Sequence, residues 1–440
     1  MEAAGGGLIA SAVSLLRRLP LELSLVRSSA AVLAGNAAAR LLGFVFYVAA
    51  ARLLEPGDYG TLAYALAIIV AASVVLTNSP GGLARFLARN PDSRPRQDRY
   101  YSNWVAVIAL SVVASVALFI PLVPLTGLTG WLALGVVVNL ANMAVFETYV
   151  AAQRGLGRFG AMGVYYTLAN LLQLVAILVL GALGWRSAAL FLVVYGLSAI
   201  AAAALMRVAH PTPLTFRLEL LSRRQMARIT RYTAPIIAQG VFWAFWWGSD
   251  IILIQHLLTP TATGNYAAAK TLTQILLLPP TALCMAAGPR MSRLAEPALR
   301  RELLVMLALA AVAILPAAAL LALLQRPIAE LFYGTKYPHL VDALTALDVG
   351  AALYGLYLVP ASVWGALGRP VVGAVATACG TVATVAAGLL LIPGLHLLGG
   401  GIAFAAGAAA QLLFVSGFTL WGLYAGGHAR MGHLPDEAMG

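Results

Sequence analysis

The sequence contains few charged residues and almost no cysteine. Only 10% of its 440 residues are Asp, Glu, Lys or Arg, whereas soluble domains carry about 25%. With a mean hydropathy of +0.88, this composition argues against a water-soluble enzyme. The two cysteines, Cys284 and Cys379, lie in apolar stretches, which argues against a disulfide framework and a cysteine-based metal site.

Long apolar runs make up most of the chain. Windows of about 19 residues, the length of a membrane span, predict twelve spans at 30–52, 59–84, 103–124, 130–152, 160–182, 187–207, 232–255, 264–287, 303–324, 340–365, 371–393 and 399–424. These spans are expected to be helical, because an open strand leaves backbone groups unpaired in lipid. The sequence therefore predicts an all-α, multi-pass membrane protein.

The N-terminal segment does not resemble a secretory signal. Residues 8–16 are apolar, but Arg17, Arg18 and Glu22 follow where a small-residue cleavage site is expected. We expect residues 1–29 to form a cytoplasmic amphipathic segment whose arginines face anionic lipid.

The basic residues are distributed very unequally between the predicted loops. With a cytoplasmic N-terminus, 22 of the 28 Lys and Arg residues lie on the inside and four on the outside, and Arg40 and Lys270 remain within spans. This asymmetry follows the positive-inside rule. It predicts a protein of the cytoplasmic (inner) membrane with both termini and the tail 425–440 in the cytoplasm. The net charge of +12 is thus a topology signal and does not imply a nucleic-acid partner.

An internal repeat divides the chain into two halves. LLEPGDYG (Leu53 to Gly60) follows the first span, and LLTPTATG (Leu257 to Gly264) follows the seventh, 204 residues later. GLGR ending at Arg158 and ALGR ending at Arg369 mark equivalent loops, 211 residues apart. Because each half has an even number of spans, the repeats are expected to run parallel. We predict lobes at 30–207 and 232–424, joined by a cytoplasmic linker at 208–231.

These motifs resemble a known family. The segment Ala51 to Gly60, with the pattern A-R-L-L-x-P-x-x-Y-G, and the L-G-R turn after the fourth span are similar to the polysaccharide and O-antigen flippases of the multidrug/oligosaccharidyl-lipid/polysaccharide exporter (MOP) superfamily. The resemblance implies a V-shaped, MATE-like transporter of twelve helices in two pseudo-symmetric lobes. It also implies alternating access and a lipid-linked oligosaccharide substrate, usually on a polyprenyl diphosphate, for cell-surface polysaccharide or lipopolysaccharide synthesis.

Polar side chains within the first span predict part of a substrate cavity. Asn36 and Arg40 are four residues apart and Tyr47 continues the same stripe, so the three share one helical face. Arg40 lies near the middle of its span, where an ionisable group usually faces the protein interior or a wet cavity. Its guanidinium suits a diphosphate or an acidic sugar, although a structural arginine stays as the alternative.

The seventh and eighth spans carry a second polar and aromatic set. Gln239, Trp243, Trp246 and Asp250 follow one another at steps of four, three and four residues, which places them on one helical face. Aromatic faces there suit sugar rings, with helix packing as the alternative. Lys270 lies at a depth similar to that of Asp250, with Gln274 one turn further on. We predict an Asp250–Lys270 pair that serves either structure or H⁺ or Na⁺ coupling.

Arg85 and Glu147 lie at comparable depth near the inner ends of the second and fourth spans. They are candidates for an inner gate, and a packing pair within one lobe is the alternative.

The sequence contains no P-loop, no HExxH and no Cys/His cluster, so no cofactor or metal is expected. A membrane glycosyltransferase or polymerase is disfavoured, because the longest predicted outside loop, 325–339, is too short for a catalytic loop. Within the superfamily the alternatives are a multidrug/cation antiporter and a lipid II flippase. We favour the oligosaccharide flippase, with membrane lipids and polysaccharide polymerase or assembly proteins as partners.

Overall fold

The computed structural model is predominantly helical in the part of the chain that it describes. That part comprises residues 23–78, 81–209, 211–291, 296–367 and 369–424, so most of the predicted N-terminal segment and the predicted tail lie outside it. In the first half the helices are α1 (Leu23–Leu53), α2 (Pro56–Ala72), α3 (Val74–Asn78), α4 (Gly81–Ala88), α5 (Arg94–Phe119), α6 (Val123–Thr126), α7 (Trp131–Gly155), α8 (Phe159–Ala182) and α9 (Ala188–Ala209). In the second half they are α10 (Arg223–Leu257), α11 (Pro260–Thr273), α12 (Leu278–Met291), α13 (Glu296–Leu323), α14 (Gln325–Tyr333), α15 (Leu340–Ala366) and α16 (Pro370–Tyr424).

These helices accommodate the twelve predicted spans. Among the described residues, eight helical stretches are long and apolar enough to cross a membrane, or nine if the bent pair Pro56–Ala72 and Val74–Ala88 is one span. One of the eight, Val371–Gly422, has 52 residues and covers two predicted spans. Helix α1 and the segment from α11 to α12 cover the remaining two.

Breaks within the predicted spans have local causes. A 3-10 turn at Gln274–Leu277 separates α11 from α12, and Pro279 and Pro280 follow it, where each proline lacks the N–H of a regular helical bond. In α16 the backbone leaves the helical region at His396, with φ 51° and ψ −125°. The two arms of α16 pack against each other, because Gly407 lies against Thr384 and Gly380.

The most extensive packing lies within each half of the chain. In the first half α1 packs on α8 and α7 packs on α9, and in the second half α16 packs on α10 and α15. Helix α2 packs against α10 and α11 of the other half. This arrangement agrees with the predicted two-lobed architecture.

A linker strap, defined here as residues 211–222, joins the halves and is bound to the start of α5. The backbone N–H groups of Thr215 and Ser222 donate to Asp98 Oδ1 at 3.0 Å and Asn103 Oδ1 at 2.7 Å. Asn103 Nδ2 in turn donates to the Leu220 carbonyl at 2.8 Å. We call this side of the protein the linker face, and the sequence predicts that it is cytoplasmic. Residues 223–231, predicted as linker, are helical.

The two repeated turns meet each other on the opposite side, which we call the turn face. Pro56 and Pro260 are the first residues of α2 and α11, a position where proline's missing N–H costs nothing. A Cβ atom on Gly60 would overlap the Pro260 carbonyl oxygen, and one on Gly264 would overlap the Pro56 carbonyl oxygen. The repeat therefore forms a reciprocal contact in which only glycine allows each helix to approach the other.

Further contacts complete the closure of the turn face. The Arg52 guanidinium donates to the carbonyl groups of Leu331 and Phe332 in α14. Tyr337 donates to the Ala51 carbonyl at 2.8 Å, and Lys336 Nζ lies 3.3 Å from Glu55 Oε1. Together with the two turns, these contacts form what we call the turn-face seal.

We expect Gly60→Ala and Gly264→Ala to weaken this seal. Each new methyl group must push two backbones apart, and overpacking of this kind costs roughly 1–3 kcal/mol. The measurement uses the substitutions Glu55→Cys and Lys336→Cys, whose two thiols are crosslinked with a short bismaleimide. The native cysteines are removed by Cys284→Ser and Cys379→Ser. Crosslinking should fall several-fold in either glycine variant.

Gly57→Ala is the matched control for this experiment. It lies in the same turn, but its Cβ would be 3.5 Å from Thr261 Oγ1, which is ordinary contact, so its crosslinking should stay unchanged. Equal crosslinking in Gly60→Ala and in the parent chain would contradict the role of the reciprocal contact.

Candidate functional site

A cavity of about 620 Å³ lies between the two halves. It lies on the linker side of the turn-face seal, at the middle of the helices that line it. The first half lines it through α1, α7 and α8, and the second half through α10, α12, α15 and the 3-10 turn after α11. Its lining residues are Ala39, Arg40, Leu41, Gly43, Phe44, Tyr47, Phe146, Tyr166, Asn170, Trp243, Trp247, Gln274, Ile275, Leu277, Leu278, Thr281, Tyr354 and Leu358.

The wall from the first half carries a free positive charge. Arg40 is exposed on this wall, and in the described part of the chain no hydrogen bond or ion pair engages its guanidinium. Tyr166 and Asn170 line the cavity from α8, and Asn170 Nδ2 donates to the Tyr166 carbonyl at 2.8 Å. The side chain of Asn36, the predicted neighbour of Arg40, lies outside the described residues.

The wall from the second half is aromatic. The rings of Trp243 and Trp247 lie nearly parallel, with centroids 6.0 Å apart and an interplanar angle of 12°. Trp243 Nε1 donates to Tyr354 Oη at 3.0 Å, which fixes the outer indole against α15. The face of Trp243 stays accessible, because 39% of the residue is exposed. We call Trp243, Trp247 and Tyr354 the aromatic wall.

Two of the predicted cavity residues occupy other positions. Trp246 is fully buried, with its ring stacked on Phe404 at 5.0 Å and tilted against Tyr354 at 4.4 Å. It is a core residue of the second half, so the prediction that it lines the cavity is corrected. Gln239 does not line the described cavity, and its amide lies against Gly373 of α16. The two tryptophans of α10 that line the cavity are Trp243 and Trp247, four residues apart. The predicted pair, Trp243 and Trp246, is three residues apart.

Tyr47 and Gln274 lie where they are predicted. Both line the large cavity and also a smaller one of about 70 Å³ that lies towards the turn face. Trp247 lines both cavities too, and Lys270 lines the smaller one. The small cavity therefore lies between the large cavity and the charged core of the second half.

Asp250 and Lys270 form the predicted ion pair. Lys270 Nζ donates to the two carboxylate oxygens at 2.7 and 2.8 Å and to the Trp247 carbonyl at 2.6 Å. Tyr266 donates to Asp250 Oδ2 at 2.7 Å. Lys270 Nζ also lies 4.9 Å from the centroid of the Trp247 ring and 4.8 Å from that of Phe404, within cation–π range.

This pair is completely buried and completely bonded. Asp250 has no exposed surface, and the exposed fraction of the Lys270 side chain is 4%. All three ammonium protons have acceptors, so the cost of burying the charges is offset by bonds as well as by attraction. The arrangement also contacts the aromatic wall, since Lys270 Nζ lies over the Trp247 ring.

Arg85 and Glu147 are not joined by an ion pair among the described residues. Arg85 instead donates to Tyr232 Oη at 2.7 Å, and its guanidinium carbon lies 5.2 Å from the centroid of the same ring. Because Tyr232 belongs to α10, this contact joins the two halves near the linker face. Arg85 therefore takes part in an inter-half contact, whereas the predicted Arg85–Glu147 pair would lie within the first half.

The aromatic wall was only partly predicted from the sequence. Trp247 belongs to the same Trp pair as Trp246, but the steps of four, three and four residues favoured Trp246. Tyr354 lies in a span where tyrosines are common, and no local pattern in the sequence marks it. Among the described residues, no group of three His, Cys, Asp or Glu side chains is placed to hold a metal ion.

Comparisons with known proteins agree with this fold. Residues 25–295 match the family model described as polysaccharide biosynthesis protein. No curated protein has a sequence that matches the chain significantly.

Several solved structures have the same fold. An inward-facing multidrug resistance MATE family transporter of the MOP superfamily is 15% identical, with a TM-score of 0.75 over 88% of this chain and 95% of that chain. The lipid II flippase MurJ, in an inward closed conformation, is 12% identical, with a TM-score of 0.74 over 88% of this chain and 86% of that chain.

The outward-facing conformation of a MATE family transporter is 16% identical and has a lower TM-score of 0.62, over 91% of this chain and 95% of that chain. The family match covers more than half of the sequence, and the structural matches cover nearly all of it. The chain therefore belongs to the polysaccharide biosynthesis protein family and has the fold of the MATE family transporters and of the lipid II flippase MurJ.

Proposed function

We propose that the protein flips a lipid-linked oligosaccharide across the cytoplasmic membrane by alternating access. The observation that carries this proposal is the chemical asymmetry of the cavity between the halves. One wall offers Arg40, an exposed cation without a protein partner in the described chain, and the other offers the aromatic wall. A glycan on a diphosphate carrier has an anionic group and sugar rings side by side, and it matches both walls.

Arg40 is suited to the anionic part of such a substrate. A guanidinium presents paired N–H donors that match two oxygens of a phosphate or carboxylate. Because Arg40 has no competing acceptor among the described residues, binding an anion there breaks no existing bond. A cavity with a positive potential also attracts an anionic headgroup from a distance.

The aromatic wall is suited to the sugars. Indole faces present flat apolar surface to the C–H groups of a sugar ring, and the rigid rings lose little conformational entropy on contact. The bond between Trp243 and Tyr354 and the contacts of Trp247 with Lys270 hold these faces in place. Asn170 and Gln274 line the same cavity and supply amide groups for sugar hydroxyls.

The hydrocarbon tail of the carrier is expected to stay in the bilayer. Leu41 of α1 and Ile275 of the 3-10 turn after α11 line the cavity and are 58% and 43% exposed. These apolar side chains lie on the two helical segments that flank one edge of the cavity. A headgroup held inside is thus compatible with a tail that remains in lipid beside them.

A multidrug/cation antiporter is the second candidate, because MATE family transporters share the fold. A cation needs acidic groups in the cavity, but the lining of the described cavity contains Arg40 and neither Asp nor Glu. Lipid II has the same chemical components as other lipid-linked glycans, so a lipid II flippase differs from our proposal only in the glycan.

We propose that the linker face and both termini are cytoplasmic and that polymerase or assembly proteins receive the product.

Deleting the gene should abolish surface polysaccharide and should cause lipid-linked oligosaccharide to accumulate in the cytoplasmic leaflet. The measurements are surface glycan staining and mass spectrometry of extracted lipid-linked intermediates, with plasmid complementation as the control. Drug or dye sensitivity with intact glycan would support the antiporter instead. Accumulation of lipid II alone would identify the glycan as peptidoglycan precursor.

Arg40→Gln should weaken substrate binding by about 10- to 100-fold, because a charge-assisted hydrogen bond contributes roughly 1.5–3 kcal/mol. Arg40→Lys should retain part of the binding, since it keeps the charge but loses the paired donors. The measurement is the rate of glycolipid flipping in proteoliposomes at several substrate concentrations. Arg186→Gln, which removes an exposed arginine outside the cavity, is the control, and equal loss in both variants would contradict the proposal.

The Asp250–Lys270 pair is proposed to be structural, with ion coupling as the alternative. Asp250→Leu or Lys270→Met alone should destabilise the protein by roughly 3–5 kcal/mol, because each leaves one buried charge unpaired. The double variant should regain most of the thermal stability, measured by unfolding in detergent, and should keep flipping at every pH tested. A stable double variant with no flipping, or with an altered pH dependence, would assign the pair to coupling.

A further inference from the structure

A groove on the linker face lies apart from the central cavity. It has a volume of about 460 Å³ and lies between α5 of the first half and the first two turns of α10. Val107, Leu110 and Ala114 form its wall on α5, and Met226 and Ala227 form its wall on α10. The α5 side continues into exposed apolar surface, because Leu110 and Val113 are 63% and 66% exposed.

A row of arginines borders this groove. The groove-lining residues of α10 are Arg223, Met226, Ala227 and Thr230, which are spaced as one helical face. Arg224, Arg228 and Arg231 have the spacing of the adjacent face, and all three are exposed. We call these three residues the arginine row.

No acidic residue lies in this part of α10. Its first nine residues are RRQMARITR, with four arginines and no Asp or Glu. The acidic residues of the strap and of the start of α5 are already engaged: Glu219 lies 3.6 Å from Arg217, and Asp98 is bonded to Thr215 and lies 3.2 Å from Arg94. The positive charge of the arginine row is therefore not neutralised locally.

The linker strap holds the groove in shape. Ser222, the residue before α10, is bonded to Asn103 of α5 at 2.7 Å, and Arg217 N donates to Ser102 Oγ at 3.0 Å. Asn103 and Ser102 have no exposed surface. Because these bonds tie the start of α10 to the start of α5, the arginine row and the apolar wall keep a fixed relation to each other.

We infer that this groove binds an anionic glycerophospholipid. The headgroup phosphate contacts Arg223, which lines the groove, the arginine row on the adjacent face adds to the positive potential around it, and one acyl chain lies along Leu110 and Ala114. Charge complementarity selects the anionic headgroup, since basic groups at a membrane surface each favour an anionic lipid by about 1 kcal/mol, or roughly fivefold in affinity. The apolar wall distinguishes the site from a basic patch that attracts any soluble anion. The inference does not depend on the proposed transport substrate.

The test measures lipid binding to the purified full-length chain by native mass spectrometry. Dioleoyl-phosphatidylglycerol and dioleoyl-phosphatidylcholine are titrated separately. We expect the parent chain to retain phosphatidylglycerol preferentially, and Arg224→Gln with Arg228→Gln and Arg231→Gln to weaken that binding at least tenfold. Arg89→Gln with Arg96→Gln and Arg99→Gln removes the same charge from exposed positions elsewhere on the linker face and should leave binding within about twofold.

A second pair of variants tests the groove without changing charge. Ala114→Phe fills it and should weaken phosphatidylglycerol binding several-fold. Ala117→Phe, on an exposed position of the same helix outside the groove, should have no effect. Both positions are exposed, so both variants are expected to fold, and a size-exclusion profile and unfolding temperature equal to those of the parent chain check this.

Three results would overturn the inference. Equal losses in the two arginine triples would show that the binding is diffuse electrostatic attraction, and unchanged binding in Ala114→Phe would show that the groove is not the site. A polyprenyl diphosphate that displaces phosphatidylglycerol at equal concentration would replace the phospholipid as the occupant. Loss of glycolipid flipping in the Arg40→Gln variant alone leaves this inference unaffected, so its failure and that of the proposed function are distinguishable.

Discussion

The reciprocal contact between the two repeated turns is the constraint on which the arrangement of the halves depends. Each turn places a proline carbonyl where the other turn has a glycine, and neither approach has room for a side chain. This contact brings α2 against α11 and closes the turn face, and the bonds of Arg52, Tyr337 and Lys336 reinforce it. The cavity exists on the other side of this closure, because the halves meet here and leave space between α1 and α12.

The two halves divide the chemistry of the cavity between them. The first half supplies a cation that is free to bind an anion, and the second half supplies an aromatic surface whose own cation is fully engaged. Lys270 donates three hydrogen bonds to Asp250 and Trp247, so it stabilises the aromatic wall and has no free donor. Of the two cations predicted to lie within the membrane, Arg40 thus has no protein partner in the described chain, whereas Lys270 is fully hydrogen-bonded.

The sequence predicted the features that depend on depth and on local chemistry. The Asp250–Lys270 pair could be predicted because consecutive antiparallel helices rise equally per residue, so equal distances from a shared turn give equal depth. The position of Arg40 at a cavity could be predicted because an arginine in the middle of a span needs a polar surrounding. The helix boundaries largely followed from hydropathy, proline and glycine.

Features that depend on helix rotation and on inter-half packing could not be predicted in the same way. A helix face is defined only to within one residue, so the sequence alone does not distinguish Trp246, which is fully buried, from Trp247, which is partly buried and lines the cavity. Arg85 contacts Tyr232 because α4 meets α10, and no sequence pattern specifies that meeting. The strap on α5 likewise depends on side chains, Asp98, Ser102 and Asn103, that are ordinary polar residues in the sequence.

The reciprocal turn contact also has the symmetry of an interface between identical subunits. An interface in which both partners present the same motif to each other is isologous, the type that relates two identical subunits about a twofold axis. Gly60 contacts Pro260 in the same way as Gly264 contacts Pro56, as equivalent residues do across such a dimer interface. A six-helix unit that carries this turn is therefore self-complementary at this contact, so two such units meet through the same motif and need no second, complementary surface.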